Sequence, residues 1–407
     1  MTATDRIDRA EKALAARFRA IDEIALFNQK KVLDAFREEH IAVRHFAQTT
    51  GYGYGDEGRE KLGALFANIF QAERAFVSPL LASGTHALTV ALFGILRPND
   101  RVLCITGEPY DTLRGVIKGS GGSLEEFGIS FDTVALKENG KIDCAAVASA
   151  LDAREYKMVY IQRSRGYELR DAFTVEEIGA ACDRVREHGF LGCIFVDNCY
   201  GEFVQKREPL EVGADVIVGS LIKNPGGGLA PAGGYVAGKE RYLTLVEQRL
   251  TAPSVGGEIG SYACGYQAYY QGVFLAPHTT AQALKGGLLI GKCLEELGFE
   301  NFPAIDKPLA DITRAVRFET EEQLTAFICC VQACSPVDAY VRPEAWDMPG
   351  YDCKVIMAAG TFVGGATSEL SADAPIRAPY TAYFQGGLTY EHCKIACKQI
   401  LEKLTAL

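Results

Sequence analysis

Residues 191–223 read LGCIFVDNCYGEFVQKREPLEVGADVIVGSLIK, and two apolar runs in this stretch decide the fold class. Leu191–Asp197 and Ala214–Gly219 are short and apolar, which is typical of strands that are buried on both faces. Asp197 ends the first run and Lys223 follows shortly after the second. Because ligands of open α/β sheets bind at the carboxyl ends of the strands, these two residues are the first candidates for a functional site.

The same alternation extends towards the N-terminus. Further strands are predicted at Ala75–Ser78, Val102–Ile105, Thr133–Leu136 and Met158–Gln162, with helical patterns between the strands at 84–96, 142–152 and 174–188. Strands that alternate with helices of ten to fifteen residues predict βαβ units, and therefore an α/β domain with a mostly parallel, doubly wound sheet.

The segments on either side of this region have different patterns. Residues 4–38 repeat apolar side chains every three to four positions, which predicts one or two amphipathic helices. A helix is predicted at 281–297, then apolar or alternating runs at Ala326–Cys334 and Lys354–Ala358, and a last helix at 389–405. We therefore predict a helical arm and loop at 1–58, a large domain at 59–275 and a small α+β C-terminal domain at 276–407.

Composition and charge exclude several classes of protein. With 48% hydrophobic residues among 407, the chain can bury a full core and is not disordered. Its 42 Lys and Arg against 52 Asp and Glu argue against nucleic acid or an anionic membrane as the main partner. The sequence has no run of 18 apolar residues, so no membrane span is predicted. Thirteen cysteines without C-x-x-C, and charged first residues without an apolar leader, predict a reduced cytoplasmic protein with no metal site.

A glycine-tyrosine loop at 53–58, GYGDEG, matches the G-x-G-x-x-G pattern of dinucleotide sites. That pattern requires a buried strand before it and an acidic residue at the end of the following strand. Here the preceding HFAQTT is a poor strand, and Glu73 comes before its apolar run instead of after it. A nicotinamide or flavin site is therefore kept only as an alternative.

Three pieces of the sheet region carry stronger chemistry. Ser83, Gly84 and Thr85 open a predicted helix, whose free N–H groups can bind an anion, although an ordinary Ser N-cap explains the same pattern. Asp197 at the end of a buried strand needs a cation, unless it only caps the next turn. Lys223 lies between an apolar strand and a glycine triplet, where the alternative is a surface lysine beside a flexible turn.

Together these pieces predict a single cofactor. A Schiff-base lysine must be desolvated enough to be nucleophilic, and a carboxylate must keep a pyridinium nitrogen protonated. A helix N-terminus must hold a phosphate, and an aromatic face must lie over a planar ring. Tyr110, shortly after the predicted strand at 102–105, is suitably placed to supply that face. The joint pattern predicts a site for pyridoxal 5'-phosphate (PLP).

At these residues the sequence resembles the fold-type-I PLP enzymes of Cys/Met metabolism, and within them the methionine γ-lyase-like group called aluminium resistance proteins. The resemblance runs from about residue 40 to 405 and rests on FVSPLLASGTHAL, VYIQRSRGY, FVDNCYGEF, GSLIKNPGGGLAPAGGYVAG, WDMPGY and APYTAYFQGGLTYEH. It implies the aspartate aminotransferase-like fold of PLP-dependent transferases, with a large PLP-binding domain.

The resemblance also implies roles for the matching residues. Lys223 would be the lysine that binds PLP covalently, and Asp197 the partner of the pyridine nitrogen. Ser83, Gly84 and Thr85 would hold the phosphate, with a hydroxyl added by Ser220. Tyr110 would stack on the ring and assist proton transfer.

Further residues are implied for the substrate and for a neighbouring subunit. In the broader family a Tyr and an Arg of the neighbouring subunit reach the phosphate, and Tyr54 and Arg59 fall in the corresponding loop. An arginine is expected to hold the substrate carboxylate in a bidentate pair. Arg377 is the first candidate, Arg163 and Arg165 are the others, and a surface salt bridge is the alternative for each.

Two departures leave the substrate open. Asn224-Pro225 and three glycines follow the lysine, and Ile222 replaces the usual second phosphate hydroxyl. We expect a cytoplasmic homo-oligomer, a dimer or tetramer with shared active sites, that acts on an amino acid as a PLP-dependent carbon–sulfur lyase. β- or γ-elimination from cystathionine or methionine would be such a reaction. An aminotransferase, a decarboxylase, and a non-catalytic PLP-fold protein of stress or regulation are the alternatives.

Overall fold

The computed structural model describes residues 1–348 and 352–407. In these residues seven strands form the large sheet, in the order β1-β7-β6-β5-β4-β2-β3. The strands are β1 (Arg74–Ser78), β2 (Arg101–Cys104), β3 (Ser130–Thr133), β4 (Met158–Gln162), β5 (Cys193–Asp197), β6 (Val216–Ser220) and β7 (Gly234–Gly238). β7 runs antiparallel to β1 and β6, and the other pairs are parallel. The predicted α/β class with a mostly parallel sheet is confirmed.

Helices precede and flank this sheet. They are α1 (Ala3–Glu38), α2 (Glu57–Phe70), α3 (Gly84–Ile95), α4 (Asp111–Ile117), α5 (Cys144–Ala153), α6 (Val175–Glu187) and α7 (Glu240–Glu247). The apolar residues on the two faces of the sheet form separate clusters, and β4 to β7 are buried along their whole length. The sheet is therefore covered by helices on both sides, as a doubly wound fold requires.

A smaller sheet follows a long connecting helix, α8 (Gln267–Glu295). Its order is β10-β11-β12-β9-β8, all antiparallel, with β8 (Glu300–Phe302), β9 (Thr313–Arg317), β10 (Val355–Ala358), β11 (Ser371–Pro375) and β12 (Thr381–Gln385). Helices α9 (Glu321–Ala333) and α10 (Tyr390–Thr405) pack with α8 and this sheet around one apolar cluster. The division at 58 and 275 stays a prediction, and α8 passes through residue 275.

Three expectations for individual elements were wrong or incomplete. The strand expected at Thr133–Leu136 is β3, three residues earlier, where it pairs with β2. The run at Ala326–Cys334 belongs to α9, because Leu324, Phe327, Ile328 and Val331 share one buried helical face. The helix expected at 281–297 begins at Gln267 and continues through Pro277.

The N-terminal segment is one helix of 36 residues. Thr2 and Asp5 form a reciprocal capping box at its start, and Ile7, Ala10 and Leu14 lie on its buried face. That face packs against α8. In the described part of the chain no helix is long and apolar enough to cross a membrane.

Candidate active site

A cavity of about 350 Å³ opens where the carboxyl ends of β4, β5 and β6 face the smaller sheet. This is the edge of the sheet at which α/β folds bind their ligands. The cavity is lined by seven of the residues predicted from the sequence: Ser83, Gly84, Thr85, Tyr110, Asp197, Ser220 and Lys223. The structure thus brings together residues that are up to 140 positions apart in the chain.

The N-terminus of α3 forms one wall of this cavity. Ser83 is the N-cap, and its Oγ accepts a hydrogen bond from the Nα of His86 at 3.0 Å. The N–H groups of a first helical turn have no partner inside the helix, so those of Gly84 and Thr85 are available to an anion. Ser220 adds a buried Oγ without a hydrogen-bond partner among the described residues. A Cβ at Gly84 would lie 3.1 Å from the Cβ of Ser220, so glycine keeps this cradle open.

Asp197 ends β5 and is 4% exposed. Its Oδ1 accepts a hydrogen bond from the backbone N–H of Cys199 at 3.1 Å, so the predicted turn cap is also present. Burial raises the pKa of this carboxyl, and the nearby Lys223 opposes that increase. A buried carboxylate of this kind is stabilised by a cation placed in the cavity.

Lys223 follows β6 and points into the same cavity. Burial alone lowers the pKa of its amine, but the acidic groups of Cys199, Tyr200, Asp197 and Tyr110 outweigh burial and raise it. The free lysine is therefore an ammonium, and the negative charge of Asp197 helps to stabilise it. A ligand cation beside Asp197 would remove part of this support and make the amine a better nucleophile.

Tyr110 lies just before α4 and lines the cavity beside the N-terminus of α3. Its hydroxyl lies 3.2 Å from the Oγ1 of Thr85, and its backbone N–H donates to the Oε1 of Gln162 at 2.9 Å. Burial, and then the negative charge of Asp197, raises the pKa of its phenol. The hydroxyl therefore stays protonated at neutral pH and can donate a hydrogen bond.

These groups fit PLP. The cradle of Gly84, Thr85 and the orphaned Ser220 hydroxyl suits a phosphate, and buried Asp197 suits a protonated ring nitrogen. Lys223 supplies the amine that PLP requires. The dinucleotide alternative lacks its geometry, because the loop at 53–58 follows a 3₁₀ turn (Val43–Phe46) instead of a strand.

The three candidate arginines lie outside the cavity lining of the described residues. Arg377 is exposed and pairs with Asp352 at 2.8 Å. Arg163 is fully buried, and its guanidinium donates to Asn198, Gln205 and Glu208.

Arg165 is 1% exposed and donates to the carbonyl of Phe302 at 2.6 Å. Its neighbours Ser164 and Gly166 line the cavity, and its Nε has no hydrogen-bond partner in the described chain. The carboxylate-binding role thus stays a prediction for all three.

Tyr54 is 68% exposed and does not reach the cavity of its own chain. Arg59 donates to the carbonyls of Glu258 and Gly260. The signature WDMPGY lies partly outside the described residues, which do not include 349–351.

Sequence reasoning missed several residues of the cavity. Gln162 ends β4, so the strand-end rule that selected Asp197 would also have selected it. Tyr200 lies in the loop after Asp197, three positions away. Asp373 and Gln385 come from β11 and β12, which were not predicted as strands. Burial raises the pKa of Asp373 to about 6.

Comparison with known proteins agrees with this site. The family model for methionine gamma-lyase matches residues 3–405, so the chain belongs to the methionine gamma-lyase family. The protein YnbB of Bacillus subtilis is 46% identical over 398 residues, which are 97% of this chain and 94% of YnbB.

Solved structures give the same answer. A candidate cystathionine beta-lyase involved in aluminium resistance, from Listeria monocytogenes, is 50% identical with a TM-score of 0.96, over 98% of this chain and 100% of that one. The PLP-dependent protein YhfS of Escherichia coli is 17% identical with a TM-score of 0.65, over 95% and 97% of the two chains, and supports the fold alone. The fold is therefore that of the fold-type-I PLP-dependent enzymes, and the family supports a PLP-dependent carbon–sulfur lyase that acts on sulfur amino acids.

Proposed function

We propose that this chain binds PLP and eliminates a sulfur-bearing group from the β- or γ-carbon of an amino acid. The observation that carries the proposal is one cavity that joins buried Asp197, Lys223 and the anion cradle at the start of α3. Bound PLP supplies an electron sink for the pair of electrons released when an amino acid loses its Cα proton.

The residues of the protein would hold PLP at its phosphate, its ring nitrogen and its ring face. The N–H groups of Gly84 and Thr85, with the Ser220 hydroxyl, would bind the phosphate. Asp197 would keep the ring nitrogen protonated. A buried carboxylate needs a cationic partner, and the protonated ring nitrogen would be that partner. The face of Tyr110 would cover the ring.

Two side chains are placed to move protons. Lys223, once its amine is free, is the base that can take the Cα proton of the substrate. Tyr110 lines the cavity and its hydroxyl is held near Thr85, so it is placed to protonate the departing thiolate. The carbon–sulfur bond breaks with its electron pair going to sulfur, and the thiol leaves with that proton. The remaining unsaturated amine is released and is hydrolysed by water to a keto acid and ammonia.

The substrate carboxylate needs a cationic or hydrogen-bonding partner. Lys223 is the single Lys or Arg among the described residues that line the cavity. Of the predicted arginines, we favour Arg165, because its chain neighbours line the cavity and its Nε is unpaired within the described chain. Arg377 would need to move out of its exposed pair with Asp352.

The decisive experiment combines cofactor binding with product analysis. We expect the purified protein to show PLP absorbance, and to release thiol and keto acid from at least one member of a panel that contains cystathionine and methionine. Lys223→Ala should lower this activity by about 10²- to 10⁴-fold, because the covalent link and the base are both lost.

The alternatives give different products. Carbon dioxide would indicate a decarboxylase, and a new amino acid formed from an added keto acid would indicate an aminotransferase. PLP binding without deuterium exchange at Cα would indicate a non-catalytic protein. A protein without PLP absorbance, even after PLP is added, would contradict the proposal.

We further propose that the enzyme works in the cytoplasm as a homo-oligomer with shared active sites. The thirteen cysteines are all free, as a reducing compartment would keep them. A second copy of the chain would pack against the exposed aromatic loop around Tyr54.

A further inference from the structure

Tyr200 has an unfavourable backbone conformation beside the cavity. Its φ is +71°, in the left-handed region that a bulky side chain rarely adopts. Its carbonyl accepts hydrogen bonds from the Nδ2 of Asn224 at 2.9 Å and from the N–H of Ile312 at 3.2 Å. The surrounding chain therefore fixes Tyr200 in this conformation, and such strain is most often found at functional sites.

The same Asn224 side chain ties this loop to the lysine. Asn224 follows Lys223 directly, and its Nδ2 also donates to the carbonyl of Glu202 at 2.9 Å. The loop after β5 and the lysine after β6 thus keep a fixed relative position. The side chain of Tyr200 therefore has a fixed position relative to Lys223.

The ring of Tyr200 meets the amine of Lys223 face on. The Nζ lies 3.6 Å from the ring centroid, well inside the range of a cation–π contact. Both side chains line the cavity and are partly exposed to it. The arrangement places an ammonium on the negative face of an aromatic ring.

We propose that the ring face of Tyr200 positions the amino group of Lys223 whenever Lys223 is not bonded to the cofactor, and that it stabilises this group when it is protonated. This inference rests on the proposed function and assigns Tyr200 as a positioning residue, because it acts through Lys223. Lysine has a flexible four-carbon side chain, so without this contact its free amine would sample several positions in the cavity. The contact keeps the free amine beside the substrate, where the neutral amine takes the Cα proton and becomes an ammonium that the ring face stabilises.

The charges around Lys223 agree with this role. Asp197 is one of the groups that raise the pKa of Lys223, but it is also the group that a bound ring nitrogen would engage. The cation–π contact with Tyr200 does not involve Asp197, so it can stabilise the ammonium after Asp197 has paired with the ring nitrogen. Removal of the ring should therefore lower the pKa of the lysine.

The test uses the cofactor-free protein. PLP is added at pH 8, the product is reduced with borohydride, and the modification at Lys223 is followed by mass spectrometry. We expect Tyr200→Leu to be modified about tenfold faster than wild type, because a weaker cation–π contact leaves more unprotonated amine. Tyr200→Phe keeps the ring and should stay within about threefold of wild type.

Controls make the result specific. Tyr340→Leu removes an exposed tyrosine that is not part of the cavity lining, and should leave the modification rate unchanged. Near-ultraviolet circular dichroism shows whether each variant is folded, and Tyr200→Phe tests the inference if Tyr200→Leu is not. A Phe variant that reacts more than about threefold faster than wild type would contradict the role of the ring.

The loaded enzyme gives a second reading. Tyr200→Leu should lower kcat with little change in KM, because substrate still binds but the freed lysine is misplaced. An unchanged modification rate in Tyr200→Leu would overturn the inference and leave the proposed function intact. Absence of any modification of Lys223 in the wild-type protein would overturn both.

Discussion

Glu202 is a fully buried acid beneath the cavity, close enough to Lys223 for their charges to interact. Its Oε1 accepts a hydrogen bond from the hydroxyl of Tyr235 at 2.8 Å, and its Oε2 has no partner among the described residues. Burial raises its pKa from 4.5 to about 8. The residue is thus mostly protonated at neutral pH, which avoids an unpaired charge in the core.

We therefore predict that Glu202 makes the stability of the protein depend on pH. Because the folded state holds this proton more tightly than the unfolded state, the free energy of unfolding falls as pH rises from 4.5 to 8. The contribution of this one group is at most about 1.4 kcal/mol per pH unit. Glu202→Gln keeps the accepting oxygen and removes the titration, so it should gain stability relative to wild type at pH 9 but not at pH 4.

Urea unfolding at both pH values measures the difference. Glu322→Gln, at an exposed position of α9, controls for the loss of a carboxylate. If the two buffers give the same difference between wild type and Glu202→Gln, the acid does not titrate in this range and the predicted linkage is wrong.

At the scale of elements, the loop after Lys223 is positioned by a contact between two backbones. Gly272 lies on α8, and a Cβ there would come within 2.3 Å of the carbonyl oxygen of Gly226. Gly227 has a φ of +55°, and a Cβ on it would come within 2.2 Å of the carbonyl oxygen of Gly272. Gly226, Gly227 and Gly272 thus let helix α8 support the lysine loop by direct backbone contact, which a side chain at Gly227 or Gly272 would prevent.

Gly272→Ala should displace the loop and weaken PLP binding. Overpacking of this kind typically has a free-energy cost of 1–3 kcal/mol, so we expect the Kd for PLP to rise about tenfold or more. Gly287→Ala is the matched control on the same helix, because a Cβ there meets nothing within 4 Å. It should leave the Kd unchanged and, since alanine favours helix, raise Tm or leave it equal. Equal PLP affinity in wild type and Gly272→Ala would contradict this role of the glycines.

The elements that the sequence predicted are those with a clear local pattern. β4 occurs as predicted, and β5 and β6 differ only at their ends, because each is a continuous apolar run. β7 reads GYVAG, in which two glycines hide the strand, and only its pairing between β1 and β6 defines it.

The same limit applies to the site. Residues at the ends of predicted strands, such as Asp197, were found in advance. Asp373 and Gln385 were not, because they lie on strands of the small sheet whose polar residues face the cavity and break the apolar pattern. Contacts between distant strands have no local signal in one sequence.

At the scale of the whole molecule, the loop that carries Tyr54 is anchored while its aromatic rings are exposed. The carbonyl of Tyr52 accepts from the N–H of Gly260 at 2.9 Å, and that of Gly51 accepts from the Oγ of Ser261 at 2.8 Å. Tyr52 and Tyr54 are nevertheless 69% and 68% exposed, with ring centroids 5.6 Å apart. A fixed loop that displays two tyrosines is typical of a surface that another protein covers.

If Tyr54 completes the site of a neighbouring subunit, two damaged variants should repair each other. In a hybrid dimer of Lys223→Ala and Tyr54→Ala chains, the second chain keeps its lysine and receives an intact Tyr54 from the first. One of the two sites is then complete, so purified hybrids should have about half of the wild-type activity per dimer, while both parent variants are impaired. Co-expression with two different affinity tags isolates the hybrids, and light scattering confirms their mass. If Tyr54 instead serves its own chain, one site lacks Lys223 and the other lacks Tyr54, and the hybrids recover nothing above the Tyr54→Ala parent.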